Sequence, residues 1–347
     1  MVSTEKILIV GPSWVGDMVM AQSLFMVLRE RYPEAIIHVL APDWSRPILE
    51  RMPEVAGTIV MPIGHGSLML KQRFKIGRAM RKEEYTRAIV LPNSLKSAFI
   101  PLFADIPIRT GWRGEYRFGF LNDIRLLNKK RYPLMVQRFV ALAVDNAQPL
   151  PAIPNPKLQA DVDNQQVLLE QHQLTLDKPV LSLCPGAEFG PAKRWPSSHY
   201  AAVADKASAA GMQVWIFGSA KDRQVSDEIV SLMQAENRHV VANLAGETKL
   251  GDSVDLLSLS SVVVSNDSGL MHIAAAVSVP LVSIYGSTSP EFTPPLSDAV
   301  EVIASDIECR PCFKRECPLV HLDCLNKLPA DDVFSAVERL IENREPV

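Results

Sequence analysis

Apolar residues in this chain come in short continuous runs, and each run is followed by a stretch in which they recur every third or fourth position. Residues 6–10 (Lys-Ile-Leu-Ile-Val) form such a run, and behind it Met18, Ala21, Phe25 and Leu28 share one face of a helix expected over 17–31. The alternation continues with strands expected at 35–40, 57–62 and 87–91 and helices at 45–51 and 68–82. Apolar strands separated by amphipathic helices make a parallel sheet covered on both faces. Residues 148–156 read Gln-Pro-Leu-Pro-Ala-Ile-Pro-Asn-Pro, where the prolines exclude a regular helix and favour an extended linker. The alternation then restarts, with strands expected at 180–184, 213–217, 240–244, 262–265 and 281–285 and helices at 198–210, 223–235 and near 253–260. Residues 330–342 carry Val333, Val337, Leu340 and Ile341 on one face, the mark of an amphipathic terminal helix. The expected fold is α/β, with Rossmann-like domains over 1–155 and 156–328 and a terminal helix within 329–347.

Composition narrows the class. At 347 residues, 47% hydrophobic and 22% charged, the chain can bury two cores and carries no signature of disorder. The longest apolar region, 89–108, is interrupted by Pro92, Asn93, Lys96, Pro101 and Asp105, so no membrane span is expected. The run at 7–10 is too short for a signal-peptide core, so a cytoplasmic chain is expected. The net charge of −3 conceals a split: residues 1–165 carry 22 Lys+Arg against 15 Asp+Glu, whereas 166–347 carry 14 against 24. Lys71, Arg73, Lys75, Arg78, Arg81 and Lys82 fall in one expected helix, and a basic surface there would attract phosphates or an anionic membrane. No nucleic-acid-binding motif accompanies these charges.

In a doubly wound sheet, ligands bind outside the carboxyl ends of the strands, and three loops there carry candidate chemistry. Gly11-Pro-Ser-Trp-Val-Gly16-Asp17 has the outline of a phosphate loop, but Asp17 stands in place of the lysine and Met18 in place of the hydroxyl. Asp17 suits either a helix cap or, with Gly11 and Gly16 keeping the loop tight, a general base facing a crevice. The loop 185–196, Pro-Gly-Ala-Glu-Phe-Gly-Pro-Ala-Lys-Arg-Trp-Pro, offers backbone amides and the Lys193 cation to a diphosphate, with Trp195 and Pro196 fixing it to the sheet. In 265–276 a strand end turns into a small-residue helix, where the amides of Ser268, Gly269 and Leu270 suit a phosphate. Asp267 there could accept sugar hydroxyls, and His272 could reach a phosphate or sugar oxygen.

With segments 11–17, 185–196 and 266–272 in order, the chain resembles glycosyltransferase family nine, the lipopolysaccharide heptosyltransferases. Further similarity lies in Leu91-Pro-Asn-Ser-Leu-Lys-Ser97, Arg109-Thr-Gly-Trp-Arg-Gly114, Phe217-Gly-Ser-Ala-Lys-Asp222, Asn243-Leu-Ala-Gly-Glu-Thr248 and Phe292-Thr-Pro-Pro295. The resemblance implies a GT-B fold, its two sheets facing an inter-domain cleft. The implied donor is ADP-L-glycero-β-D-manno-heptose, bound on the second domain. The implied acceptor is heptosyl-Kdo-lipid A, met at the inner face of the cytoplasmic membrane. Carried over by motif, Asp17 is the general base, Lys193, Ser268, Gly269, Leu270 and His272 hold the diphosphate, and Asp267 and His272 contact the donor sugar. Asp222 and Leu244 are implied nucleoside contacts, and Ser94, Lys96 and Arg113 acceptor contacts. Inverting transfer without a catalytic metal is expected. Another nucleotide sugar, or a non-catalytic nucleotide- or glycan-binding role, is the alternative.

Four of the five cysteines, Cys309, Cys312, Cys317 and Cys324, cluster near the end of the chain. In a reducing compartment their spacing fits either a structural zinc site or unligated thiols in a packed loop. Cys184, alone in an expected strand, reads as core.

Overall fold

The computed structural model describes residues 5–64, 66–146 and 148–343. They fall in two compact units, Met1–Pro156 and Lys157–Val347. The first runs β1 (Lys6–Val10), α1 (Val15–Arg31), β2 (Ile36–Ala41), α2 (Arg46–Leu49), β3 (Gly57–Val60), α3 (Leu70–Met80), β4 (Arg87–Val90), α4 (Phe99–Phe103), β5 (Ile108–Trp112), β6 (Asp123–Arg125) and α5 (Met135–Val140). Its six strands are parallel and lie in the order β3-β2-β1-β4-β5-β6.

The second unit runs α6 (Val162–Gln171), β7 (Val180–Cys184), α7 (Ser197–Ala209), β8 (Gln213–Ile216), α8 (Arg223–Leu232), β9 (Val241–Asn243), α9 (Leu250–Leu257), β10 (Val262–Asn266), α10 (Gly269–Ala276), β11 (Leu281–Tyr285), β12 (Val300–Ala304), α11 (Asp323–Asn326) and α12 (Ala330–Glu342). Its sheet, β12-β11-β10-β7-β8-β9, repeats the topology of the first. In each sheet the strand order reverses once, between β1 and β4 and between β7 and β10. A crevice opens there at the carboxyl ends, because the flanking connections leave toward opposite faces.

The core explains the strand pattern. All five residues of β10 are buried, as a central parallel strand covered on both faces requires. The terminal helix α12 packs on α7 and across β10, β11 and β12, burying Val333, Ala336 and Val337 in the core that holds Leu183, Val264 and Ile284. Several helix boundaries differ from the sequence expectation by one to three residues, among them the starts of α1 and α3. Helix α1 begins at Val15, which puts Asp17 inside the first turn, three residues beyond the cap Trp14. Helix α3 begins at Leu70, because Met69 adopts a left-handed conformation with φ of 39°. No helix among the described residues is long and apolar enough to cross a membrane.

Candidate active site

At the β7/β10 crevice the sequence brings together residues 74 positions apart. The loop after β7 turns through a short 3-10 segment, Pro191–Lys193, and the Lys193 Nζ donates to Asp267 Oδ2 at 2.6 Å, just past the end of β10. Both side chains are largely buried, 13% and 4% exposed. Thr288, in the loop after β11, donates its hydroxyl to the same carboxylate oxygen. Asn266 fixes the two loops together: its Oδ1 accepts the Trp195 N–H at 3.1 Å and its Nδ2 donates to the Pro185 carbonyl at 2.6 Å. The buried Trp195 is held in turn by its indole N–H on the Leu328 carbonyl at 3.1 Å. Neither Asn266 nor Thr288 was among the expected site residues.

Helix α10 starts beside this pair. Its cap residue, Ser268, makes no side-chain hydrogen bond to the first turn, and Ser268, Gly269 and Leu270 are half-buried. A helix N-terminus without a side-chain cap presents free amide donors and the positive end of the helix dipole. One turn in, His272 is buried, and that burial lowers its pKa to about 4; Asp267 opposes the shift and Lys193 adds to it. At neutral pH the imidazole is therefore uncharged, and what it offers a ligand is a neutral hydrogen bond. The unfolded chain takes up this proton near pH 6.5, whereas the folded chain resists until about 4. The stabilising effect is thus complete above pH 6.5 and is lost as pH falls toward 4, at most about 3 kcal/mol. Urea unfolding at pH 7.5 and 4.5 is expected to show His272→Gln less acid-sensitive than the wild type by about that amount.

The two expected nucleoside contacts follow β8 and β9. Asp222 Oδ2 accepts the Ser219 N–H and hydroxyl at 2.9 and 2.8 Å, capping the short 3-10 turn Ala220–Asp222 that leads into α8. Leu244, just after β9, is 3% exposed and offers an adenine ring almost no side-chain surface. The Asp161-Val162-Asp163 sequence, of the type that holds divalent ions in other transferases, opens α6, where Asp161 accepts the Asn164 N–H at 3.2 Å as an N-cap.

The cysteine-bearing segment backs the Lys193 loop. Ala192 donates its N–H to the Arg315 carbonyl at 3.0 Å and accepts from Ser287 N–H at 3.1 Å. Arg310 ties the same region to the Gly286 and Thr288 carbonyls, both at 3.1 Å. All four clustered cysteines and His321 line one cavity beside Ala192. Among the described residues, however, no group of three or more His, Cys, Asp or Glu side chains is disposed to hold a metal ion. Cys324 is buried in the apolar core beside Leu325, Cys309 is exposed, and Cys312 and Cys317 are intermediate. Cys184 is buried in β7, as expected.

In the first unit, Gly11 N–H donates to the Leu40 carbonyl at 2.9 Å and Leu91 N–H to the Val10 carbonyl at 3.1 Å, so β1 stays paired to its last residue. The chain then turns into α1 with Asp17 half-buried in the first turn. Ser94 and Lys96 follow β4, across the switch point from Asp17, and Arg113 follows β5. The last two loops are stitched together: Glu115 N–H donates to the Asn93 carbonyl at 3.1 Å, and Leu95 N–H to Glu115 Oε2 at 2.8 Å. Gly114 makes this possible, with φ of 50° and so close to Asn93 that a Cβ would sit 2.2 Å from its carbonyl oxygen. Arg113 is exposed over the Tyr116 ring.

The basic excess of this unit is partly internal. Arg117 is fully buried, donating to the Pro92 carbonyl at 2.6 Å, to Ser97 Oγ at 3.1 Å and to the Trp112 carbonyl, and burial lowers its pKa to about 10. Arg125, 4% exposed, donates to the Ala141 and Val144 carbonyls, both at 2.6 Å. These arginines close loop carbonyls and are not available to an acceptor. Arg117→Met is expected to cost about 2–4 kcal/mol in chemical denaturation, because the carbonyls it pairs are left unsatisfied.

Two like-ordered parallel sheets, with a lysine–aspartate pair and an open helix N-terminus at one switch point, form the architecture of a two-domain glycosyltransferase. The sequence pattern of Glycosyltransferase family 9 (heptosyltransferase) matches residues 73–322, and the chain belongs to that family. It is 52% identical over 304 residues to lipopolysaccharide heptosyltransferase 2 of Escherichia coli K12, covering 86% of this chain and 87% of that one. It is 51% identical over 307 residues to lipooligosaccharide heptosyltransferase 2 of Haemophilus influenzae, covering 86% and 88%. The solved structure of the Escherichia coli ADP-heptose LPS heptosyltransferase II superposes with a TM-score of 0.85 at 46% identity, over 97% of this chain and 98% of that one.

Proposed function

We propose that this chain transfers L-glycero-D-manno-heptose from ADP-heptose to the first heptose of heptosyl-Kdo-lipid A, in building the lipopolysaccharide inner core at the cytoplasmic face of the inner membrane. The observation that carries the reading is the buried Lys193–Asp267 pair beside the uncapped start of α10, in a chain half identical to named heptosyltransferases. A diphosphate placed there meets one fixed cation and a row of amide donors.

The acceptor hydroxyl gives its proton to the Asp17 carboxylate as its oxygen bonds to the anomeric carbon. The bond from that carbon to the diphosphate oxygen breaks on the opposite face, and ADP leaves with the electron pair. A β-linked donor so yields an α-linked product in one step. Lys193 and the α10 amides stabilise the charge that grows on the leaving diphosphate, and His272 adds a neutral hydrogen bond. In this reading the lysine and the helix dipole supply what a divalent ion supplies in other transferases. Transfer from ADP-heptose to heptosyl-Kdo-lipid A is expected to lose less than about twofold in excess EDTA, since no term of the charge stabilisation comes from a metal. A loss of tenfold or more, restored by magnesium, would refute the metal-free mechanism. Activity with a different nucleotide sugar but none with ADP-heptose would refute the donor assignment.

A further inference from the structure

We propose that the segment 68–78 is an interfacial anchor that seats the protein on an anionic phospholipid bilayer. This rests on the reading of the acceptor as lipid-linked, but it concerns a surface separate from the residues assigned to acceptor or donor. Helix α3 is oriented by close packing: at Gly77 a Cβ would lie 2.5 Å from the Phe103 Cβ and 2.9 Å from the Ile100 carbonyl oxygen. The buried Arg73 donates to the Leu68 and Ser67 carbonyls at 2.6 and 3.2 Å and so pins the turn before the helix. Phe74 borders this packed face, its ring edge-on to Phe103 at 5.2 Å, and is still partly open to solvent. Leu68, Met69, Leu70 and Phe74 are 53%, 49%, 45% and 44% exposed, four large apolar side chains within seven residues.

The rim of this patch decides its partner. Lys71, Lys75 and Arg78 are exposed on the adjoining face of α3, with Arg78 5.8 Å from the Phe74 ring centroid. Lys71 and Lys75 form no ion pair among the described residues, and residues 57–82 contain no Asp or Glu. A half-buried protein partner would need to bring its own acidic groups to each of these cations. A bilayer with anionic headgroups supplies negative charge at the rim and hydrocarbon under Leu70 and Phe74 at once. The two features lie side by side on one short helix, the arrangement of an interfacial segment.

The test is flotation of the full-length protein with vesicles of phosphatidylcholine alone or with 30% phosphatidylglycerol added, at about 0.15 M salt. Binding is expected only to the mixed vesicles. Lys71→Gln with Lys75→Gln should weaken it roughly 25-fold, at about fivefold per charge. Leu70→Ser with Phe74→Ser should weaken it comparably at unchanged net charge, and the emission of Phe74→Trp should shift to the blue on the mixed vesicles alone. Both double variants should turn over a soluble acceptor stripped of its acyl chains at the wild-type rate. Equal binding to both vesicle types, no binding to either, or no emission shift would overturn the anchor. A lower rate on the stripped acceptor would assign the cations to the acceptor's own phosphates and also overturn it. Absence of turnover in the wild type, with vesicle binding intact, would instead count against the proposed reaction.

Discussion

Asp17→Ala is expected to lower kcat by about 10²–10⁴ while ADP affinity, read by calorimetry, stays within about threefold. The carboxylate sits in the first turn of α1, beyond the cap residue, on the loop that leaves β1 at the switch point of the first sheet. That is where a Rossmann-like sheet presents a ligand. A carboxylate in the first turn does interact favourably with the helix dipole, worth about 0.3–1 kcal/mol, so the variant should remain folded and its melting temperature should drop by only a few degrees. Asp17→Asn sharpens the result, since the amide keeps the shape and loses the basicity. If both variants lose activity to a similar extent with intact ADP binding, proton removal is the missing step. If Asp17→Asn turns over like the wild type, the residue serves the helix and the base lies elsewhere; a non-catalytic binding role for the whole chain predicts that no phenotype separates the two variants.

What the sequence made legible follows from where each element sits. The strands β1, β7 and β10 are central and buried on both faces, so they stand out as unbroken apolar runs. The strand β6 reads Asp-Ile-Arg and β12 reads Val-Glu-Val-Ile-Ala; both lie at sheet edges, stay partly exposed and carry no such run, and neither was anticipated. Interior β5 was missed as well, because Arg109, Thr110 and Gly111 break its apolar pattern. The three ligand-edge loops were found because each directly follows an apolar run. The same rule applied to Tyr285 would have reached Thr288, which shares the Asp267 carboxylate. Arginine burial had no comparable signal: Arg73 and Arg117 lie in a basic stretch that reads as a solvated face, and only the fold reveals that their guanidinium groups close loop carbonyls. Likewise the Cys-x2-Cys spacing of Cys309 and Cys312 is legible in the chain, whereas the core position of Cys324 is a property of the packing.

Lys193→Ala is expected to lower kcat/KM for the donor by about 10²–10³, with more of the loss in kcat than in KM. Two effects add in this variant. The leaving diphosphate loses a cation as its charge grows, which is the transition-state term. In addition Asp267, 4% exposed and paired with Lys193 at 2.6 Å, becomes an uncompensated buried carboxylate facing an anionic ligand. Leaving such a charge unpaired is costlier than never having had the pair. Combining Lys193→Ala with Asp267→Asn removes that second effect, so the double variant should be about tenfold more active than Lys193→Ala alone and should bind ADP more tightly than it. Asp267→Asn by itself should be impaired, because Lys193 then lacks the carboxylate that, with Thr288, holds its ammonium in place. The opposite ranking, with the double variant worse than either single change, would mean that Asp267 acts on the donor sugar independently of the lysine. The two roles separate in KM: if Asp267 grips the sugar, removing its carboxylate weakens ADP-heptose binding and leaves ADP binding untouched, whereas a displaced Lys193 weakens both.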